Sequence, residues 1–110
     1  MAGDIKIVNC EGGCGIAESA DLKNRIFALL SESFNVILNM SAVQALDLSC
    51  IQVILAAKKY AMAHELTVVI GNQISREAVF AFMVAGLVKS PDTSGKEVNR
   101  IVDAALRGDV

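Results

Sequence analysis

Tryptophan is absent, and tyrosine, histidine and proline occur once each, as Tyr60, His64 and Pro91. Each shortage removes a class of function. No run of Lys or Arg exists, and ten basic against twelve acidic residues leave a net charge of −2. The basic stripe and stacking aromatics of a nucleic-acid binder are therefore missing. A single histidine cannot supply H-E-x-x-H, and neither G-x-S-x-G nor G-x-x-x-x-G-K-[ST] occurs. No apolar stretch reaches the roughly 18 residues of a membrane span, and the N-terminus lacks a charged segment followed by an apolar run. These absences lead us to expect a soluble cytoplasmic protein without direct membrane insertion. Its three cysteines, an odd number, then read as reduced thiols.

Other candidate centres are as thin. Cys10 and Cys14 have only Cys50 and His64 as further soft donors, which is poor support for a metal site. His64 lies near a helix end and reads as a solvated side chain. Gly12-Gly13-Cys14-Gly15 follows a strand and precedes a helix, yet it lacks the lysine and Ser/Thr of a phosphate loop and reads as a tight turn. No cofactor is expected. Cys50 in a first helical turn could have a lowered pKa, which leaves a thiol-based enzyme as a minor reading to be tested by fast alkylation.

Apolar residues are what the chain has in excess. Counting glycine and leaving out tyrosine, they make up 66 of 110 residues, or about 60% against a usual 45 to 50%. That surplus hints at a surface built to meet a partner, although fifteen alanines dilute it. A length of 110 residues suits one domain, residues 1–110, with a core that needs no disulfide or metal.

Periodicity places the elements. Asp4 to Asn9 reads as a strand, and the glycines after it as a hairpin turn with a second short strand around Cys14 to Ala17. Ser19 is expected to open a helix with Leu22, Ile26, Leu29 and Leu30 on one face. Phe34 to Met40 is a buried-type strand, joined by Ser41 to Leu46 to a helix from about Leu48 to His64. Leu66 to Ile70 reads as another strand. Ser75-Arg76-Glu77-Ala78 begins a helix that runs to about Ala85, with Val79, Phe82, Met83 and Leu87 suited to an inward face and Gly86 as its left-handed C-terminal residue, and Val88-Lys89-Ser90 reads as a short edge strand. The last helix, about Lys96 to Arg107, carries Val98, Ile101, Val102, Ala105 and Leu106 at helical spacing. The alternation implies an α/β fold with a mixed sheet of four to five strands, entered through the hairpin, and about four packed helices.

The stretch Gln44-Ala45-Leu46-Asp47-Leu48-Ser49-Cys50-Ile51-Gln52 joins strand to longest helix. Asp47 and Ser49 are both strong N-cap residues, and Ser49 to Gln52 fits the S-x-x-Q capping box. A hydroxyl there could also carry a phosphate, held by free N–H groups and the helix dipole.

Val36 to Leu55 resembles the signature of STAS domains of the anti-sigma factor antagonist type: an apolar strand, D-[LM]-S-x-V, an apolar residue, then D-[ST]-[STA]-G-L-x-x-L-L. Ala85-Gly86-Leu87 is similar to the family's G-[LIFV] after its third helix. Asp47 matches the acidic position, whereas Leu48 occupies the place of the usual phosphoacceptor and Ser49 stands one residue later. The resemblance implies a bacterial, non-catalytic regulator docking through Ala45, Asp47, Leu48, Ser49, Cys50 and Gln52, with Ser49 the fallback site of phosphorylation. The implied partner is a kinase-like anti-sigma factor, a chemotaxis component or, alternatively, the lipid-transport ABC complex in which such a domain is a subunit.

Overall fold

The computed structural model describes residues 4–108, so the outermost residues of the expected domain lie outside it. Seven elements follow in order: β1 (Ile5–Cys14), α1 (Ile16–Ser31), β2 (Asn35–Leu46), α2 (Leu48–Ala63), β3 (Val68–Ile74), α3 (Arg76–Val84) and α4 (Gly95–Arg107). Among the described residues the sheet has three strands, all parallel, in the order β1-β2-β3. Parallel neighbours require a crossover, and α1 and α2 supply the two that this order needs. No helix of the described chain is long and apolar enough to cross a membrane.

The core lies between the sheet and its helices. Val36, Leu38 and Met40 of β2 are fully buried on one side of the strand and face Leu22, Ile26 and Leu30 of α1 and Ile51 and Ile54 of α2 within one apolar cluster. Residues two apart on a strand share a face, and those three or four apart share a helical face, so these two spacings alone select the core set. Val79 and Phe82 of α3 and Val98 and Val102 of α4 complete it.

The outer edge of β3 is closed by side-chain chemistry. Asn99 of α4 accepts a hydrogen bond from the Ile70 N–H at 2.8 Å and donates one to the Ile70 carbonyl at 2.7 Å, standing in for a neighbouring strand. Lys58 of α2, 1% exposed, donates to the Val68 carbonyl at 2.7 Å, Asn99 Oδ1 at 3.1 Å and Asp103 Oδ1 at 2.8 Å. One ammonium group thus ties together α2, β3 and α4.

Several expectations are corrected. The N-terminal hairpin does not form: β1 runs unbroken to Cys14 and pairs with β2 throughout. Gly12, at φ +64°, stands at an irregularity in the ladder instead of a reversal: the register slips between Gly12↔Val43 and Gly13↔Ala45, as it also does between Asn9↔Asn39 and Glu11↔Ala42. Glycine permits both outcomes, and the ladder offered by β2 decides between them. The sheet accordingly has three parallel strands and not four or five mixed ones. Val88-Lys89-Ser90 is irregular, and Ser41 to Leu46 continues β2 instead of forming a connection. Helix α1 starts at Ile16, three residues before Ser19, because Gly15 caps it with its N–H held by Glu18 Oε1 at 3.1 Å. The thiols are not all reduced: Cys14 and Cys50 form a disulfide, and only Cys10 is free and buried. A free nucleophile at Cys50 is thereby removed.

Candidate functional site

Two strands ending side by side build the site. Cys14 and Leu46 are register partners at the ends of β1 and β2, and the helices α1 and α2 begin directly beyond them. Asp47 is held between the two. Its N–H donates to the Cys14 carbonyl at 2.8 Å, and its own carbonyl accepts from the N–H groups of Cys50 at 3.0 Å and Ile51 at 3.2 Å. Its carboxylate accepts from the Leu48 N–H at 2.7 Å. This fixes Asp47 as the N-cap of α2 and places Leu48 as the first helical residue, with its side chain 54% exposed.

Helix α3 forms the opposite wall. Phe80 and Val84, one helical turn apart, are 64% and 72% exposed, while Val79 and Phe82 on the inner side are buried. A hollow of about 520 Å³ lies over Gln44, Ala45, Leu46, Phe80 and Ala81, with Arg76, Glu77 and Pro91 at its rim. A second, of about 240 Å³, lies over Leu46, Asp47, Leu48, Ile51, Ala81, Val84 and Ala85. Leu46 and Ala81 line both, so the two are one apolar groove between the start of α2 and α3. Exposed apolar residues clustered in this way mark a contact surface more strongly than the same residues scattered singly.

The expected site residues divide accordingly. Ala45, Asp47 and Leu48 reach the groove. Gln52 is exposed but lines neither hollow, and Cys50 is fully buried in the disulfide. Ser49 does not cap α2, because Asp47 already occupies that position two residues earlier; its Oγ is buried without a hydrogen-bond partner. An unpartnered buried hydroxyl costs stability, so Ser49→Ala is expected to leave stability within about 0.5 kcal/mol of the native protein or to raise it. Chemical denaturation would check this; a loss near the ~1 kcal/mol of a missing N-cap would mean that the hydroxyl works as a cap after all.

Sequence reasoning missed Phe80, Ala81 and Val84. Their only signal was the apolar surplus itself: the nine residues of α3 include two charged ones, Arg76 and Glu77, at its start, so the helix is apolar all round. The groove offers apolar area, the Asp47 carboxylate engaged in capping, and Arg76 and Glu77 beside Phe80.

A family model described as the STAS domain matches residues 2–96. No match to the chain is found among curated proteins.

Proposed function

The chain belongs to the STAS domain family, and from that premise we propose that it is an anti-sigma factor antagonist-like regulator whose α2–α3 groove docks on a kinase-like anti-sigma factor. STAS domains are regulatory modules that act by protein–protein contact and are generally non-catalytic. The observation that carries the reading is the coincidence of the family's Asp47 position with the exposed apolar set Leu48, Phe80 and Val84. Apolar anchors around a fixed polar point are the anatomy of a protein contact, with affinity concentrated in a few side chains.

Docking in this proposal needs no phosphate. Leu48 has no hydroxyl, and the Ser49 Oγ is buried, so phosphorylation of Ser49 would require the first turn of α2 to open. Incubation with the cognate kinase is expected to give no gain of mass on the native protein. A gain that disappears in Ser49→Ala would make Ser49 the acceptor.

Native purification from the source cell tests the whole reading. The protein is expected to bring down one kinase-like partner, and Leu48→Glu or Phe80→Glu, each placing a charge in the groove, is expected to weaken that capture at least tenfold while folding normally. Recovery of ABC transporter subunits or chemotaxis proteins instead would replace the partner but keep the surface. Unchanged capture by both variants would remove the groove from the account.

A further inference from the structure

The disulfide does not line the docking surface, yet it is joined to it through α2, where Cys50 stands between the groove residues Leu48 and Ile51. Cys14 is the last residue of β1 and Cys50 the third of α2, 36 positions apart. Cys50 is fully enclosed, whereas Cys14 keeps 9% exposure and lines a cleft of about 130 Å³ together with Cys10, Gly13, Glu18 and Arg25. Of the pair, Cys14 is therefore the one that borders the surface. The other sits in the first turn of a helix, where free N–H groups and the dipole favour a negative charge.

We propose that the Cys14–Cys50 disulfide is an exchangeable redox site, entered by a dithiol at Cys14 through this cleft, and that opening it loosens the first turn of α2 on which the docking groove is built. The consequence for docking rests on the function proposed above; the redox chemistry does not. In the first step a thiolate of the dithiol attacks Cys14 Sγ, the S–S bond breaks, and Cys50 departs as a thiolate. A leaving thiol with a lowered pKa departs faster, which the helix start favours. The dithiol's second thiolate then attacks the dithiol's own sulfur in the mixed disulfide and releases Cys14 as a thiolate. Two electrons pass to the protein, the dithiol leaves as its disulfide, and its two protons are available to the two new thiols. Cys10, in the same cleft, is a poor internal attacker, because burial pushes its thiol up and the Arg25 charge opposes this only in part.

The mechanical link is short. Asp47, which donates to the Cys14 carbonyl and accepts from Cys50 and Ile51, is the residue that orients Leu48 into the groove. With the covalent bond open, the Asp47 N–H to Cys14 carbonyl contact at 2.8 Å and the Cys50 Sγ to Gly15 carbonyl contact at 3.6 Å remain between the end of β1 and the start of α2.

The test uses the full chain in native buffer with and without dithiothreitol, followed by iodoacetamide labelling, peptide mass mapping and amide hydrogen exchange. Reduction is expected to add one label each at Cys14 and Cys50 and to speed exchange at Leu48–Ile51 at least tenfold, with the β2 amides Val36 to Met40 unchanged. No label at Cys14 or Cys50 when the treated protein is freed of dithiothreitol, denatured and then labelled would show that the bond survived reduction in the native fold and would overturn exchangeability. Labelling without faster exchange at Leu48–Ile51 would overturn the coupling, and loss of protection throughout β2 would make the disulfide a global staple instead. A Cys14→Ser/Cys50→Ser double variant is expected to show the fast exchange permanently; should it fail to fold, reduction of the native chain still decides. No partner enters this measurement, so its failure leaves the docking reading standing, and failure of the Leu48→Glu experiment leaves the redox site standing.

Discussion

Gly95→Ala is expected to destabilise the protein by about 3 kcal/mol, the upper end for overpacking a rigid contact. The reason is not conformational freedom but approach. A Cβ at Gly95 would overlap the carbonyl oxygen of Gly71 outright and lie 2.7 Å from the carbonyl carbon and 3.0 Å from Asn72 Cα. All three atoms are backbone, so no side chain can swing aside; either α4 lifts from the edge of β3 or the strand bends. Lifting α4 would also strain the Asn99 amide pair with Ile70, which closes that edge and has little tolerance in length. Gly71→Ala is the control: a Cβ there would meet Leu38 O at 3.5 Å and Ile37 Cγ2 at 3.8 Å, ordinary contact distances, and is expected to cost under about 1 kcal/mol. Urea unfolding of the two variants separates the explanations. If both lose the same stability, removal of glycine rather than the close approach is responsible.

That contact also shows what sequence reasoning can reach. Gly86 was legible as a helix end because local chain geometry decides it, and it adopts a positive φ of +80°, as Gly108 does after α4 at +79°. The same held for the inner faces of α1, α2 and α4, where spacing alone selects Ile26 and Leu30, Ile51 and Ile54, and Val98 and Val102. Gly95 gives no such sign, since its demand comes from a strand more than twenty residues away. The hairpin expectation failed on the same ground: Gly12-Gly13 suits a turn or a ladder irregularity, and β2, which decides, begins more than twenty residues later. At the site, Asp47 and Leu48 were legible from local pattern. Phe80 and Val84 were not: the inward face through Val79 and Phe82 was legible, but apolar residues on the outer face of a helix carry no local sign that they line a groove. The disulfide was hidden by its spacing of 36 residues and by the expectation that such thiols remain reduced.

Lys58→Ala is expected to cost about 3 to 5 kcal/mol, because it empties a buried volume and strips a shared donor from a set of acceptors. Val68 O, Asn99 Oδ1 and Asp103 Oδ1 all accept from this one ammonium, and Asn99 Oδ1, which accepts from the Ile70 N–H as well, closes the edge of β3. Asp103→Ala is expected to cost less, since the Asp103 side chain stays partly exposed and Lys58 keeps two other acceptors. Burial holds the Lys58 ammonium below its ordinary pKa, and the Asp103 hydrogen bond and charge offset that only in part. The sign for stability follows. Between the lowered folded value and the higher unfolded one, the unfolded chain binds more protons, so stability rises as pH climbs through that interval. Lys58→Met should remove this slope. Denaturation of the native protein, Lys58→Met, Asp103→Leu and the double variant completes a cycle: the double variant is expected to be more stable than Lys58→Met alone, because Asp103→Leu removes the carboxylate that Lys58→Met leaves without its cation. A native stability that falls over the same alkaline interval would show that the ion pair outweighs desolvation, and would reverse the ordering of the two single variants' causes.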